Sequence, residues 1–333
     1  MSVLDGKTVL ITGGTGSFGR NFTKHLLDTK KAKKIIIFSR DELKQSQMEA
    51  DLNDRRLRFF IGDVRDLQRL ERAMEDVDIV VHAAALKQVP LLEYNPFEAV
   101  KTNIIGSQNV IDAAIDKGVE KVLLVSTDKA AMPVNLYGST KLCAEKLFIA
   151  GNAYSKKTAF STVRYGNVVG SRGSIVEALI KSKNAKTVYI TDERMTRFWI
   201  DFDQAFRIVL FGLENMAGGE IFIPKAPTMK LTDLFDVIVP KVKRRIIGIR
   251  PGEKVHEILL TKDEARHAVE FKGYFIVLPE HATKPVQKKQ ERFLKAGKKL
   301  PPEYSFESHT GNVKLSEKEL LRFIRALETK IAR

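Results

Sequence analysis

The stretch KTVLITGGTGSFG, Lys7 to Gly19, decides how the first half of this chain is read. Lys7 to Thr12 is a short apolar, β-branched run of the kind that forms a buried strand, and Ser17 to Asp28 has the pattern of a helix. Between them lies a turn of Gly13, Gly14, Thr15, Gly16, Ser17, Phe18 and Gly19. A glycine-rich passage from strand into helix lets backbone N–H groups approach a phosphate, and the helix N-terminus adds its partial positive charge. The spacing G-x-x-G-x-x-G is looser than the G-x-G-x-x-G of many dinucleotide sites, and a bare match is sometimes only a tight turn. Its position in the first strand-turn-helix unit points to a nucleotide, with Gly13, Thr15, Gly16, Ser17, Phe18 and Gly19 as its cradle.

The same unit repeats outward from there. Lys34–Ser39 (KIIIFS), Leu57–Gly62 (LRFFIG), Asp78–Ala83 (DIVVHA), Lys121–Ser126 (KVLLVS) and Phe160–Arg164 (FSTVR) are apolar runs separated by polar stretches of helix length. This alternation predicts an α/β fold, a doubly wound parallel sheet of Rossmann type with ligands at the carboxyl ends of its strands. A smaller C-terminal domain should follow, with boundaries at 1–168 and 169–333, although later segments of such chains often return to the first domain. Asp63 and Val64 follow the third run, where a carboxylate could meet an adenine amino group or simply cap a helix. Ala83 follows the fourth, where small residues let a cofactor lie close.

After the second run stand Ser39, Arg40, Asp41, Glu42, Leu43 and Lys44. Arg40 and Lys44 suit a 2′-phosphate, which favours NADP over NAD. Asp41 cuts the other way if it faces the ribose, or is neutral if it caps the helix Glu42 to Asn53.

Tyr137 and Lys141 are spaced i and i+4, so on a helix they share a face. A nearby ammonium and a nicotinamide's positive charge would lower the phenol, letting it take a proton from a substrate hydroxyl as hydride leaves. Ser126 and Thr127, at the end of the fifth run, could hold the substrate oxygen. Asp128 and Lys129 follow at once; alone, this pair reads equally as a solvated turn.

These motifs sit inside longer strings: SRDELKQ (Ser39–Gln45), FFIGDVRD (Phe59–Asp66), HAAALKQVP (His82–Pro90), STDKAAMPVNLYGSTK (Ser126–Lys141), VRYGNVVGSRGS (Val163–Ser174), MTRFWI (Met195–Ile200) and GIRPGEKVHE (Gly248–Glu257). In them the chain resembles the inverting UDP-N-acetylglucosamine 4,6-dehydratases of the extended short-chain dehydrogenase/reductase superfamily, which begin pseudaminic acid synthesis and feed flagellin glycosylation. The resemblance implies an NADP-dependent hydro-lyase. C4 of UDP-N-acetylglucosamine is oxidised, Lys129 removes the acidified C5 proton, Asp128 protonates the departing C6 hydroxyl, hydride returns to C6, and C5 is reprotonated from the opposite face. The product is UDP-2-acetamido-2,6-dideoxy-β-L-arabino-hexos-4-ulose. Retaining relatives carry Asp-Glu at the pair that is Asp128-Lys129 here. Lys129 must be partly neutral to act as a base, which burial and the charges of Lys141 and the nicotinamide would favour.

The resemblance assigns further residues. Lys87 reaches cofactor or sugar, Thr102 and Asn103 steady the nicotinamide end, and Val168, Val169, Gly170, Ser171 and Arg172 pass under it. Thr127 and Asn167 face the substrate, while Arg197, Arg250 and Glu253 meet the uridine diphosphate. Taken alone, Arg197 could be a surface ion pair, and His82 reads as a packed strand-end histidine. A UDP-N-acetylglucosamine C4 epimerase is the nearest rival, since it needs Tyr137 and Lys141 but not Asp128 and Lys129; a retaining dehydratase is another. A redox-sensing nucleotide-binding regulator would keep the glycine turn and usually lose the tyrosine and lysine.

With 333 residues the chain can bury a large core. No apolar run approaches the roughly 20 residues of a membrane span, and nothing resembles a signal peptide or a metal-ligand cluster. Cys143, the single cysteine, cannot form an internal disulfide, and a cytoplasmic enzyme is expected. The net charge of +15 raises nucleic acid as a partner, but the densest basic run, Lys284–Lys299, carries no such motif and reads as a solvated or mobile segment. Apolar stripes at Ala99–Ile115 and Glu145–Ala153 fit either a homo-oligomer interface or core packing.

Overall fold

The computed structural model describes residues 2–29, 31–311, 313–316, 318–322 and 324; the end of the expected 169–333 domain, residues 325–333, lies outside the described residues. Six parallel strands form where the apolar runs lie: β1 (Thr8–Thr12), β2 (Lys34–Ser39), β3 (Leu57–Ile61), β4 (Ile79–His82), β5 (Lys121–Thr127) and β6 (Ala159–Tyr165). Their order in space is β3-β2-β1-β4-β5-β6, so the direction of winding reverses at β1. Alternate residues of one strand enter opposite cores: Val9 and Ile11 pack on one face, Leu10 on the other, and Ile35 and Ile37 oppose Ile36 and Phe38 in the same way. Burial on both faces is why these strands read as unbroken apolar runs rather than as alternation.

Seven helices connect and cover them: α1 (Ser17–Thr29), α2 (Glu42–Leu52), α3 (Leu67–Ala73), α4 (Val89–Tyr94), α5 (Pro96–Ala99), α6 (Gly106–Asp116) and α7 (Leu136–Tyr154). A π-helical turn, Val100–Ile105, joins α5 to α6. The Ala99–Ile115 stripe is largely used within the subunit, since Val110, Ile111, Ala113 and Ala114 are fully buried, while Ile105 is exposed.

Beyond β6 the chain moves between two layers. β7 (Asn167–Val168), α8 (Ile175–Lys181), β8 (Thr187–Ile190) and β9 (Thr196–Ile200) start a second layer. α9 (Phe202–Asn215) and β10 (Ile221–Pro224) return to the first sheet, where β10 lies parallel to β6. β11 (Thr228–Lys230), α10 (Leu231–Ile238) and β12 (Lys243–Ile246) belong to the second layer, whose core holds Val176, Trp199, Leu234 and Phe235. β13 (Ile258–Leu260) joins it to the first, its Leu259 and Leu260 packing in the large sheet's core. After α11 (Lys262–Ala265), the strands β14 (Ala268–Glu270) and β15 (Tyr274–Val277) rejoin the large sheet; α12 (Lys284–Ala296) and β16 (Lys298–Lys299) follow. The short β17 (Phe306–Glu307) pairs with β13. The large sheet thus has ten strands, extended beyond β6 by β10, β15, β14 and β16.

The basic run Lys284–Lys299 is not a mobile segment. It forms α12 and the edge strand β16, docked by the buried Phe293 and by Gln290, whose amide donates to the Gly218 carbonyl and to Glu220 Oε1, both at 3.0 Å. Its lysines keep to the solvent side. Among the described residues no helix is long and apolar enough to cross a membrane.

Candidate active site

A cavity of about 860 Å³ opens at the carboxyl ends of β1, β4, β5 and β6 and is closed on its far side by the second layer. At its floor the turn after β1 is pressed against the end of β4. Gly13 has φ +66°, and a Cβ there would come within 2.9 Å of the Ala84 backbone. The Thr12 hydroxyl fixes this seam by accepting from the amides of Ala83 and Ala84, each at 3.2 Å. Gly13, Gly16, Ser17, Phe18 and Gly19 line the cavity at the N-terminus of α1; Thr15 is tucked under the turn. A side-chain-free turn at the start of a thirteen-residue helix fits a dinucleotide pyrophosphate. His82 lies beneath, bonded to Thr12 (2.7 Å) and Ser107 (3.2 Å) and stacked on Phe148; burial pushes its imidazole down to about 3, so it is a neutral packing residue.

The turn after β2 lies outside this cavity, beyond the glycines. Asp41 is the N-cap of α2, accepting from the Lys44 amide at 3.0 Å and from the Lys44 ammonium, so the acid serves the helix and Lys44 is already paired. Arg40 touches Asp63 at 3.5 Å with half its side chain exposed. Asp63 caps no helix; it binds Arg65, and Asp66 caps α3 instead. Ser39 accepts from Gln45, Glu42 and Leu43 begin α2 on the surface, and Val64 is buried against Gly106.

Thr102 and Asn103 stand behind the cavity rather than in it. Asn103 bonds both backbone groups of Leu86 (2.8 and 2.9 Å) and the Thr140 hydroxyl (3.0 Å), so it ties the Lys87 loop to α7. Lys87 reaches across the mouth and donates to the Arg172 carbonyl at 3.1 Å; the Arg172 amide in turn donates to Ser17. Asn167, Val168, Ser171 and Arg172 line the cavity, and Val169 and Gly170 do not. Arg250 and Glu253 line its far end. Asn135, the cap of α7, donates to the Gly252 carbonyl at 2.7 Å and so couples the tyrosine helix to that loop.

Tyr137, Lys141, Thr127 and Lys129 meet at one wall, with Asp128 fully buried behind them. Asp128–Ala130 form a single 3-10 turn, and a Cβ at Gly138 would collide with the Lys129 carbonyl, so α7 and this turn are in backbone contact. Lys141 does not act on the phenol directly. Its Nζ donates to the Val125 carbonyl at 2.9 Å, and burial, opposed by Glu145, lowers it to about 8. The Tyr137 phenol is pushed up to about 12 by burial; the neighbouring ammonium that works against this is Lys129, helped by the Thr127 hydroxyl.

Lys129 corrects a second expectation. Its Nζ lies 3.0 Å from Asp128 Oδ1 and 3.4 Å from Glu257 Oε1. Burial alone would lower this amine, but the two carboxylates outweigh it, and Lys129 rests as an ammonium rather than partly neutral. Burial raises the Asp128 carboxyl, against the pull of Lys129. Glu257 is held below its ordinary range: burial opposes its charge, and Lys129, Arg197 and Lys254 overcome that. Arg197 is no surface ion pair. It is buried, donates to the carbonyls of Thr196 (2.7 Å), Lys254 and Val255 (3.0 Å each), and stands 3.8 Å from Glu257.

Glu257 and Lys254 lie within the string Gly248–Glu257 but have no role in the sequence reading, and a buried network under the site has none either. Arg164 is fully enclosed, bonded to Glu145 (2.5 and 3.1 Å), Glu264 (2.7 and 2.8 Å) and the Leu259 carbonyl, and Glu145 also accepts from Ser126 at 2.5 Å. No local spacing marks these groups, because each partner comes from a different part of the chain.

Comparison with known proteins places these features in context. The family described as polysaccharide biosynthesis protein matches residues 9–279. A Campylobacter jejuni protein named UDP-N-acetylglucosamine 4,6-dehydratase (inverting) is 52% identical over 97% of this chain and 98% of its own. A Rickettsia felis protein named UDP-glucose 4-epimerase is 42% identical over 81% of this chain and 82% of its own. Among solved structures, Pen from Bacillus thuringiensis superposes with a TM-score of 0.87 at 38% identity, covering 97% of this chain and 98% of that one.

Proposed function

Because the chain belongs to the polysaccharide biosynthesis protein family, we propose that it is a UDP-N-acetylglucosamine 4,6-dehydratase that inverts C5 and uses NADP. What carries the reading is the contact of Lys129 with the buried Asp128 at the same wall as Tyr137, a base and an acid that a plain epimerase has no use for. The Gly13–Gly19 turn and Lys141 would hold the dinucleotide, with Arg40 at its 2′-phosphate and Arg172 at the mouth. When bound, the nicotinamide supplies the oxidant for C4 and the hydride later delivered to C6.

Tyr137, as the phenolate, takes the proton of the C4 hydroxyl, with the Thr127 hydroxyl working against the burial that raises it. The resulting ketone acidifies the C5 hydrogen, which Lys129 removes once it is a free amine. Asp128, whose proton affinity burial raises, protonates the C6 hydroxyl, which leaves as water. Hydride at C6 and a proton from water on the opposite face of C5, the hydroxide so formed being neutralised by the proton Lys129 took, complete a 4-keto-6-deoxy sugar of L-arabino configuration. Thr127, Asn167 and Lys87 serve the sugar; Arg250 and Glu253 serve the uridine diphosphate. Arg197 has its guanidinium on three backbone carbonyls, so it organises that end as much as it binds there. The same reading makes the protein a cytoplasmic homo-oligomer at the start of pseudaminic acid synthesis; the exposed Leu91, Tyr94 and Phe97 supply an apolar surface for self-assembly.

The Rickettsia relative keeps a 4-epimerase as the rival. An NMR time course of UDP-N-acetylglucosamine in deuterated water separates the two. The dehydratase gives a methyl group at C6, a 4-ketone and deuterium at C5. A C4-inverted sugar with C5 unlabelled would establish the epimerase instead.

A further inference from the structure

The proposed mechanism asks Lys129 to begin as a free amine, while the resting site holds it as an ammonium between two carboxylates. Asp128 cannot relieve it. Its Oδ1 accepts from Lys129 Nζ and from the Thr127 hydroxyl (2.9 Å), and although Oδ2 is open, a proton there is the one that must leave with the C6 hydroxyl, so it cannot also be held for Lys129. The other carboxylate is Glu257. It approaches from the second layer, just before β13, with its backbone amide donating to Ser308 Oγ at 2.9 Å and its carbonyl accepting from the Ser308 amide at 2.8 Å. Its side chain is 4% exposed and Oε1 is 3.4 Å from Lys129 Nζ. Oε2 is buried without a hydrogen-bond partner, with Lys254 Nζ 3.8 Å away, and so offers a place for a proton; Asp128 Oδ2 is unpartnered as well, but that group's proton is committed to the C6 hydroxyl. The groups facing it are Lys129 and Asp128 from the β5 end, Arg197 from β9 and Lys254 from its own loop.

We propose that Glu257 is the proton partner of Lys129: it accepts the ammonium proton as substrate fills the cavity, freeing the amine for C5, and returns it after the C5 proton has been passed on. In the first step the Lys129 N–H bond breaks and a Glu257 O–H bond forms, ammonium and carboxylate becoming amine and carboxylic acid with no net charge change. The amine then takes the C5 proton and is again an ammonium. Glu257 keeps its proton until the C5 centre has been reprotonated, so the pair carries two protons through the half of the cycle in which the sugar has lost one. The substrate's dehydration of the cavity favours the neutral pair over the charged one, which couples release of the base to binding. This rests on the dehydratase reading.

The test is Glu257→Gln, isosteric but unable to accept a proton, followed in three ways with UDP-N-acetylglucosamine and NADP. We expect C4 oxidation, read as a burst of reduced-nicotinamide absorbance, to stay within about threefold of wild type. Exchange of C5–H with deuterated water and loss of water should both fall by about 10²–10⁴-fold. The residual rate should rise tenfold per pH unit, as solvent takes over deprotonation of Lys129, where wild type is flat. Glu257→Asp, which keeps an acceptor, should recover part of the rate and the flat profile; this guards against a variant that merely misfolds. A Glu257→Gln enzyme that exchanges C5 as fast as wild type, or faster, would overturn the proposal, since the carboxylate would then only restrain the ammonium. So would equal loss of C4 oxidation and C5 exchange with an unchanged pH profile. If wild type oxidises C4 but never exchanges C5, the dehydratase reading itself fails and takes this proposal with it.

Discussion

Replacing Arg164 with methionine should be among the most damaging single changes in the protein, although no atom of Arg164 lines the cavity. Its guanidinium is wholly buried and makes five hydrogen bonds, four to carboxylates and one to the Leu259 carbonyl. Methionine fills most of the volume but leaves Glu145, 1% exposed, without its guanidinium and with only the Ser126 hydroxyl donating to it. Breaking a buried pair from one side costs about 3–5 kcal/mol. With a urea dependence of about 3 kcal/mol/M, the unfolding midpoint should fall by about 1–1.7 M. Trp199, the only tryptophan and fully buried in the second layer, reports the transition by fluorescence. Adding Glu145→Gln removes the stranded charge, so the double variant should be more stable than the sum of the two singles by more than about 1 kcal/mol. The pH dependence fixes the sign. Burial opposes the Glu264 charge, but Arg164 outweighs it and holds that carboxyl below its ordinary value. Its contribution is therefore present above the unfolded value of about 4.3 and is lost as pH falls through the lower folded value. The gap between wild type and Arg164→Met should accordingly narrow below about pH 4. A midpoint shift under about 0.3 M at neutral pH, or a gap that does not narrow in acid, would refute the account of this network as a paired buried charge.

Further outcomes follow from the same geometry. Lys129→Ala should leave a folded protein that binds NADP while water loss drops by about two to four powers of ten, and near-normal turnover would remove Lys129 from the chemistry. Arg40→Ala should weaken NADP about tenfold or more, equivalent to about 1.5–3 kcal/mol, and leave NAD nearly unchanged; equal wild-type affinity for both in a fluorescence titration would put Arg40 outside the 2′-phosphate pocket. Gly138→Ala drives a methyl group into the Lys129 carbonyl, and a displacement of this turn by an ångström should lower turnover by about 10²-fold; unchanged kcat would show that the turn yields freely. UDP-N-acetylglucosamine carrying deuterium at C4 should yield a labelled C6 methyl in ordinary water, and label lost to solvent would exclude an internal hydride cycle.

What could be read from the chain, and what could not, divides along one physical line. The six parallel strands were legible because each is buried on both faces and is therefore a continuous apolar run. Tyr137 and Lys141 were legible because a helix converts a four-residue spacing into a shared face. The second layer was not, since β7, β11 and β13 have two or three residues each and owe their form to what packs on them. The charge of Lys129 was misjudged for a related reason. Burial of a lysine can be guessed from its neighbours in sequence, and Asp128 stands beside it, but the second carboxylate that compensates it stands at residue 257, on another layer. Arg164 ends an apolar run and Glu145 opens an apolar stripe, but no spacing links them to each other or to Glu264; only the fold pairs them. Asp41 shows the converse: its cap on α2 is a local interaction, and both roles open to it could be written down beforehand, yet choosing between them needed the position of Lys44.

The position of β6 has a consequence for how the protein is made. It lies inside the large sheet, with β5 on one side and β10 on the other, and nearly all of its side chains are buried. β10 begins at Ile221, so a ribosome working at about 5–20 residues per second must add more than fifty residues beyond β6 before that neighbour exists. For several seconds the nascent sheet therefore ends in an uncovered row of backbone donors and acceptors on an apolar strand, a template for any other extended chain. Synthesis, rather than the finished fold, is the stage at which this protein most needs a chaperone, and any fragment ending near residue 168 carries that open edge permanently.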